Sequence, residues 1–201
     1  MTLTLTFVRH GETDWNRERK FQGQSDIPLN AHGRAQARAL ARALRGERFD
    51  YAASSDLMRA LETARAICGT QAAHTDERWR EFAFGEWEGL TWDEILRRWP
   101  DAAAKSATNA LAYAPPGGET FADVRERVGR AIDDLRASNV QNALVVTHAG
   151  PLHAMLHNVF GASQGDAHEL LAVRFTPASI TRVRMDSDGA ELLLLNDIAH
   201  L

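Results

Sequence analysis

A chain of 201 residues with 44% hydrophobic and 25% charged side chains has the makeup of an ordinary globular protein, long enough to bury a substantial core as one domain over 1–201. A net charge of −4 leaves no electrostatic footprint for nucleic acid or an anionic membrane, so a small anion would have to be held by a local basic pocket. The single cysteine, Cys68, excludes an intramolecular disulfide and suits a reducing compartment, which makes the cytoplasm the expected location.

Met1 leads directly into Thr-Leu-Thr-Leu-Thr-Phe-Val with no basic n-region, and no apolar run approaches the ~18 residues of a membrane span. Residues 3–9 alternate Leu and Thr before Phe7 and Val8, which suits a strand feeding a buried sheet. Asn30 is placed to cap a helix in which Ala37, Leu40, Ala41 and Leu44 follow helical spacing and Gly46 closes the run. Phe49 to Ala53 reads as a short strand. Ser54, Ser55 and Asp56 then offer a cap for a helix with Leu57, Leu61, Ala64 and Cys68 on one face.

From about Thr75 to Gly118 the pattern is less regular and rich in Trp. It holds a short helix from Thr91 to Trp99, stopped by Pro100, and an extended turn at Pro115-Pro116-Gly117-Gly118. Thr120 and Asp123 have the spacing of a capping box. Behind it Phe121, Val124, Val128, Ile132 and Leu135 make a helical stripe. Ala143 to Thr147 is an apolar strand ending at His148, and a helix follows from Leu152 to Phe160. Further strands are predicted at Leu171–Phe175, Ser179–Met185 and Glu191–Leu195. Strands alternating with helices predict an α/β fold, a three-layer sandwich with a mostly parallel central sheet flanked by helices.

The chemistry concentrates at strand ends. His10 and His148 each follow a predicted strand, and open α/β sheets bind ligands outside the carboxyl ends of their strands. Arg9 precedes His10, so a planar guanidinium able to grip phosphoryl oxygens sits beside an imidazole able to attack phosphorus. Arg59 lies in the first turn or so of the helix after the second strand, where free backbone N–H groups already favour an anion. His153 and His157, spaced i, i+4, have no acidic partner in a zinc-type pattern, so helix packing or surface is the better account of them. The five Trp residues read as core and pocket wall, since no basic interleaving makes them a stacking platform for nucleic acid.

Four stretches carry a family resemblance. Phe7-Val-Arg-His-Gly-Glu-Thr-Asp-Trp-Asn16, Ser54-Ser-Asp-Leu-Met-Arg59, Arg80-Glu81-Phe-Ala-Phe84-Gly-Glu-Trp-Glu-Gly89 and Thr147-His148 occur in the order seen in the histidine phosphatase superfamily, also called phosphoglycerate mutase-like. The likeness covers essentially the whole chain. It implies the phosphoglycerate mutase-like fold and two-step phosphoryl transfer through a phosphohistidine on His10. It assigns charge stabilisation to Arg9, Arg59 and His148, and general acid–base work to Glu81. Phosphoryl or substrate contacts fall to Asn16, Gln22, Gly23 and the backbone near Ala149. Such chemistry needs no metal and no cofactor. Phe82, Phe84 and Trp79 are candidates to surround Glu81, while Glu86 and Glu88 are competitors whose simpler role is loop packing.

Within the superfamily, Phe84-Gly-Glu-Trp-Glu-Gly-Leu-Thr91 and Pro116-Gly-Gly-Glu-Thr120 are similar to the broad-specificity and alpha-ribazole phosphatases. The implied activity is metal-independent hydrolysis of small phosphomonoesters. The alternatives are a phosphoglycerate mutase and, behind it, a non-catalytic phospho-ligand binding module. The implied partner is a small phosphorylated metabolite, with no nucleic acid or membrane and with a homodimer left open. Trp79 and His148-Ala-Gly-Pro151 depart from the commoner family residues, and both are expected to reshape the leaving-group pocket.

Overall fold

The computed structural model describes residues 2–69, 73–108, 113–161 and 173–201. In chain order the elements are β1 (Leu3–Arg9), α1 (Asp14–Arg17), α2 (Ala31–Ala43), β2 (Tyr51–Ser54), α3 (Met58–Cys68), β3 (His74–Thr75), α4 (Trp92–Arg98), α5 (Ala102–Thr108), α6 (Phe121–Ala137), β4 (Asn142–Thr147), α7 (Ala149–Phe160), β5 (Ile180–Met185) and β6 (Ala190–Asp197). The strands form one sheet in the order β3-β2-β4-β1-β5-β6. It is parallel from β3 to β1 and antiparallel from β1 to β6.

Helices cover both faces, as the alternating pattern predicts. Phe7 of β1 and Val145 of β4 share one cluster with the α6 stripe of Val124, Val128 and Ile132 and with Leu152 and Met155 of α7. Val8, Leu144 and Val146 share a second cluster with Leu40 of α2 and with Ala60 and Ala64 of α3. A third, smaller cluster of Trp87, Ile95 and Ala102, flanked by Phe21, Phe84 and Tyr113, lies outside the two sheet-facing layers. Among the described residues no helix is long and apolar enough to cross a membrane.

The capping predictions hold at two helices, α2 and α6, and a third helix, α4, has a capping box that was not anticipated. The Asn30 side chain accepts from Gly33 N–H, and Thr91 and Thr120 each close a capping box. At α3 the expectation fails. The N-cap is Leu57, which has no side-chain cap, and the Met58 N–H donates instead to Asp26 from a distant loop. Ser55 Oγ accepts from the Leu57 N–H, one residue short of the helix, and faces His148, while Asp56 pairs with Arg80. The buried face of α3 is also rotated from the expected one. It carries Arg59, Ala60, Thr63 and Ala64, while Leu61 and Cys68 are only half-buried, because the helix turns its cation toward the strand ends.

Two further boundaries move. Helix α7 starts at Ala149, three residues earlier than the pattern suggested, with Pro151 in its first turn where a missing N–H costs nothing. Of the strand expected at Leu171–Phe175, residues 171–172 lie outside the described residues and 173–175 are irregular. There the Phe175 carbonyl accepts from Arg9, and the next residue's N–H donates to Asn196.

Candidate active site

Register builds the site. The last parallel pair of β1 and β4 is Arg9 with Thr147, and His10 N–H donates to the Thr147 carbonyl at 2.9 Å. His10 and His148 therefore leave adjacent strands together, with ring centroids 5.0 Å apart. Strand β2 ends one place further along, where Ser55 N–H donates to the Val146 carbonyl. Three neighbouring strand ends thus present Ser55, His148 and His10 in a row.

His10 is 1% exposed, and its Nδ1 lies 2.7 Å from the Gly11 carbonyl. A carbonyl only accepts, so Nδ1 carries the proton and Nε2 is left as a lone pair. Burial, then the nearby Arg59 and Arg9, hold the imidazole well below its usual titration range, which keeps it neutral. A neutral imidazole with Nε2 free is a competent nucleophile.

Arg59 is fully buried and anchored at three nitrogens. Its Nε donates to His148 Nδ1 at 3.2 Å, Nη1 to the Ser25 carbonyl at 2.8 Å and Nη2 to the Gly23 carbonyl at 2.6 Å. Burial brings its pKa down to about 10, and it remains a cation. A guanidinium has five N–H donors, so two remain for an anion in a fixed fork. Arg9 Nη1 donates to the Phe175 carbonyl, and its buried Nε has no hydrogen-bond partner among the described residues. An orphaned donor beside a cavity is what a bound oxyanion would satisfy.

His148 differs from the sequence expectation in its placement. Arginine cannot accept, so its Nδ1 is the acceptor for Arg59, and its Nε2–H faces Ser55 Oγ at 2.9 Å. Both ring nitrogens are engaged with protein atoms. Burial and then Arg59 hold this ring neutral as well.

Arg9, His10, Asn16, Gln22, Gly23, Arg59 and Glu81 line a single cavity of about 260 Å³, and His148 stands behind Arg59 instead of on its wall. Thr13 N–H donates to Asn16 Oδ1 at 3.0 Å and Thr13 Oγ1 donates to Gln22 Oε1 at 2.9 Å, which leaves both amide nitrogens as donors. Gly23 has φ +53° and faces Glu88, whose Oε1 would lie 1.9 Å from an added Cβ. Only glycine lets that loop pass and keep its carbonyl on Arg59.

Glu81 comes from a loop. Its Oε1 accepts from the backbone N–H groups of Phe82 and Gly150, both at 2.9 Å, and Oε2 carries no hydrogen bond among the described residues. Ala149 and Gly150, at the start of α7, join Glu81, Phe82 and Phe84 around a second cavity of about 380 Å³, completed by Trp87, Trp92 and Tyr113 among others. Trp79 takes no part. It is 1% exposed, packs edge-on against Phe7 at 5.8 Å, and gives only its carbonyl to Thr147. The expectation that Trp79 reshapes the pocket is corrected: it fills core behind the loop.

Several residues that matter here went unnoticed in the sequence. Arg127 donates through Nη1 to the carbonyls of Arg78 and Arg80 and through Nη2 to that of Glu81, and pairs with Glu119, which in turn accepts from Ala83 N–H. Glu88 accepts from the backbone of Gln24, Ser25 and Phe84, the loop-packing role expected of it. Arg19 and Lys20 also line the first cavity. The signal for Glu119 was in Pro116-Gly-Gly-Glu-Thr120. Nothing local marks Arg127, which sits on a helix face that reads as solvated. His157 is buried edge-on against Phe121, and among the described residues no cluster of His, Cys, Asp and Glu could hold a metal ion.

Comparison with known proteins supplies the context. A family model described as histidine phosphatase superfamily, branch 1, matches residues 5–198. Phosphoglycerate mutase-like protein 4 of Arabidopsis thaliana is 32% identical, over 98% of this chain and 86% of its own length. The solved structure of a mycobacterial glucosyl-3-phosphoglycerate phosphatase in complex with VO3 aligns at a TM-score of 0.87 and 29% identity, over 98% of this chain and 100% of that one. The alpha-ribazole phosphatase from Shigella flexneri aligns at 0.87 and 27%, over 97% and 96% of the two chains.

Proposed function

The chain belongs to the histidine phosphatase superfamily, and from that premise we propose that it hydrolyses small phosphomonoesters, with His10 as the nucleophile. The observation that carries this reading is the His10 imidazole: neutral, its Nδ1 proton given to Gly11, and its Nε2 facing a cavity between two arginines.

In the first step the Nε2 lone pair attacks phosphorus in line. The bond from phosphorus to the ester oxygen breaks, and its electron pair leaves on that oxygen, which takes a proton from Glu81 in its acid form. The free N–H groups of Arg9 and Arg59 hold the equatorial oxygens, helped by the Asn16 and Gln22 amides and the backbone at Gly23 and Ala149. His148 acts through Arg59, fixing the orientation of its guanidinium. In the second step water attacks the phosphohistidine, Glu81 takes the proton, and the electron pair of the P–N bond returns to Nε2. Acid and base are one residue used twice, which is why Glu81 Oε2 must stay unengaged.

The second cavity supports a preference among leaving groups. It adjoins Glu81 and is walled by Phe82, Phe84, Trp87, Trp92 and Tyr113, so an alcohol with an aromatic or broad apolar body fits it better than glycerate. Alpha-ribazole phosphate has such a body. One observation favours a mutase as a second reading: Arg19 and Lys20 put extra cations on the phosphoryl cavity, where they could hold a carboxylate. A half-buried lone cysteine fits a cytoplasmic setting.

The test is a phosphate-release screen over aryl, alkyl, nucleoside and sugar phosphates, with 3-phosphoglycerate and alpha-ribazole phosphate included. Net phosphate release with vanadate inhibition and indifference to chelators is expected. Rapid interconversion of 3- and 2-phosphoglycerate primed by 2,3-bisphosphoglycerate, with negligible phosphate release, would replace the phosphatase reading by the mutase. Absence of both activities would reduce the site to a phospho-ligand binding module.

A further inference from the structure

The β1–β4 ladder fixes where His10 stands, but not which of its ring nitrogens carries the proton. That choice rests on the Gly11 carbonyl, 2.7 Å from Nδ1. This carbonyl lies past the last ladder bond, the one from His10 N–H to the Thr147 carbonyl. It belongs to a turn that must be glycine. A Cβ on Gly11 would lie 2.5 Å from the Gly33 carbonyl oxygen, because the turn packs backbone against backbone on the start of α2. Glycine is also the residue least able to hold its own conformation. Something outside the turn therefore has to aim it.

Two buried side chains reach the turn, one from each of the two helices that share the Val8 and Val146 side of the sheet. Gln36 of α2 is 8% exposed, and its Oε1 accepts from Glu12 N–H at 2.8 Å. That N–H and the Gly11 carbonyl are the two ends of one peptide unit. In a trans peptide they point in opposite directions, so holding the N–H on Gln36 aims the carbonyl at the imidazole. Thr63 of α3 is fully buried, and its Oγ1 accepts from Gly11 N–H, in the preceding unit, at 3.1 Å. The carbonyl of that unit, on His10, accepts from Ala178 N–H at 3.0 Å. Both peptide planes that meet at Gly11 are thus held.

The sense of the Thr63 bond is fixed as well. Its one hydroxyl proton goes to the Arg59 carbonyl a turn back, at 2.8 Å, which leaves only a lone pair for Gly11. Arg59 and Thr63 share one buried face of α3. The helix that carries the anchored cation therefore also holds the turn behind the imidazole. Neither Gln36 nor Thr63 is among the described residues that line the phosphoryl cavity.

We propose that Gln36 and Thr63 are positioning residues for the nucleophile: by aiming the Gly11 carbonyl they keep the proton on His10 Nδ1 and leave the Nε2 lone pair for phosphorus. Their role rests on the reading of His10 as the nucleophile. With the turn released, Nδ1 loses its acceptor and the proton is free to sit on Nε2, where it blocks the attack.

Nitrogen NMR of protein labelled in its histidines reads the tautomer directly, with the His10 signals identified by their loss in His10→Gln. The wild type is expected to be protonated at Nδ1. Gln36→Met/Thr63→Val keeps both side chains close to their size and removes both acceptors. It is expected to shift His10 toward the Nε2–H form and to slow phosphoenzyme formation about 10- to 100-fold, equally on aryl and alkyl phosphates. Gln36→Glu/Thr63→Ser keeps an acceptor at each position and is expected to match the wild type in both measurements. Should the first variant fail to fold, Gln36→Met alone is expected to shift the tautomer in the same direction. A wild-type His10 protonated at Nε2, an unchanged tautomer in Gln36→Met and in the double variant, or an equal loss in Gln36→Glu/Thr63→Ser would each overturn the proposal. The tautomer is read without substrate, so the two ways of failing are distinct. A wild type that forms no phosphoenzyme removes the nucleophile itself, whereas an unchanged tautomer removes only the role of Gln36 and Thr63.

Discussion

The site has two halves held by different physics. At the strand ends, Arg9, His10 and His148 are placed by the backbone ladder of β1 and β4, and Arg59 by a buried helix face turned toward them. The other half, Gln22, Gly23 and Glu81, stands on loops whose backbone carbonyls and N–H groups are gathered by buried or half-buried side chains. Arg59, Glu88 and Arg127 are the three gatherers, and between them they contact Gly23, Ser25, Gln24, Phe84 and Glu81. A ladder fixes position through many equivalent bonds. A gathered loop depends on a few charge-assisted ones, and removing one leaves buried groups unsatisfied. The nucleophile half is thus set by the fold, and the acid half by single residues.

Substitutions can break this contrast. The largest effect is expected at His10→Ala: no phosphoenzyme, and turnover down by on the order of 10⁴–10⁶-fold, as when a nucleophile is removed. The strand ladder should hold the rest in place, so vanadate binding should persist weakly. Retained acid-labile, base-stable labelling in the variant would move the nucleophile elsewhere. Glu81→Gln comes next, with a loss of about 10²–10⁴-fold on alkyl phosphates and much less on aryl phosphates, whose leaving oxygens need no proton. Equal losses on both classes would assign Glu81 to structure or to a limiting second step, and a burst of product separates those. Arg59→Lys keeps the charge but cannot serve three anchors and an oxyanion at once, so about 10²–10³-fold is expected. Wild-type kinetics in that variant would show that the planar fork is not used.

The same division explains how much could be read from the sequence. Periodicity found β1, β4 and the α6 stripe, because a strand between two covered faces must be apolar and a packed helix must be striped. It placed His10 and His148 at one crevice by the rule for strand ends alone. Glu81 was found only through its motif. No spacing argument would choose it over Glu86 or Glu88, since the choice depends on the Gly150 and Phe82 N–H groups reaching one carboxylate. His148 was read as a phosphate ligand, and the structure instead turns both its nitrogens to protein partners. Arg127 was invisible for a related reason: its ligands are backbone carbonyls about fifty residues away, and carbonyls carry no signature in sequence. Trp79 was misjudged because adjacency to Glu81 in sequence was taken for adjacency in space, whereas the loop turns the two side chains apart.

Arg127 offers the sharpest comparison of the halves. It touches no reacting atom, and its side chain bridges the carbonyls of Arg78, Arg80 and Glu81 to Glu119. Arg127→Met should lower kcat on alkyl phosphates by between about 10-fold and 100-fold through misplacement of the acid, with a smaller change on aryl phosphates and in vanadate affinity. That leaving-group dependence marks positioning of Glu81. A uniform loss with a lowered melting temperature would mean that Arg127 merely stabilises the fold.

The smallest effect is read in stability rather than rate, and it belongs to the strand-end half alone. Burial first, and then Arg59, hold both His10 and His148 well below the unfolded value of about 6.5. Below that pH the unfolded chain takes up protons that the native rings refuse, so the unfolded state binds more protons and stability falls as pH falls. The loss is on the order of 1.4 kcal/mol per pH unit for each ring, and it runs from about pH 6.5 down to the native pKa values. Between pH 6.5 and 5 ordinary carboxylates remain ionised, so the slope in that window reports mainly on histidines. Denaturant unfolding of the wild type at steps across the window should show it, His148→Gln should flatten it by one ring's share, and Glu81→Gln and Arg127→Met should leave it unchanged. A slope that survives loss of His148 but vanishes with Arg127 would reverse the comparison, placing the pH-sensitive strain in the gathered loops and not at the strand ends.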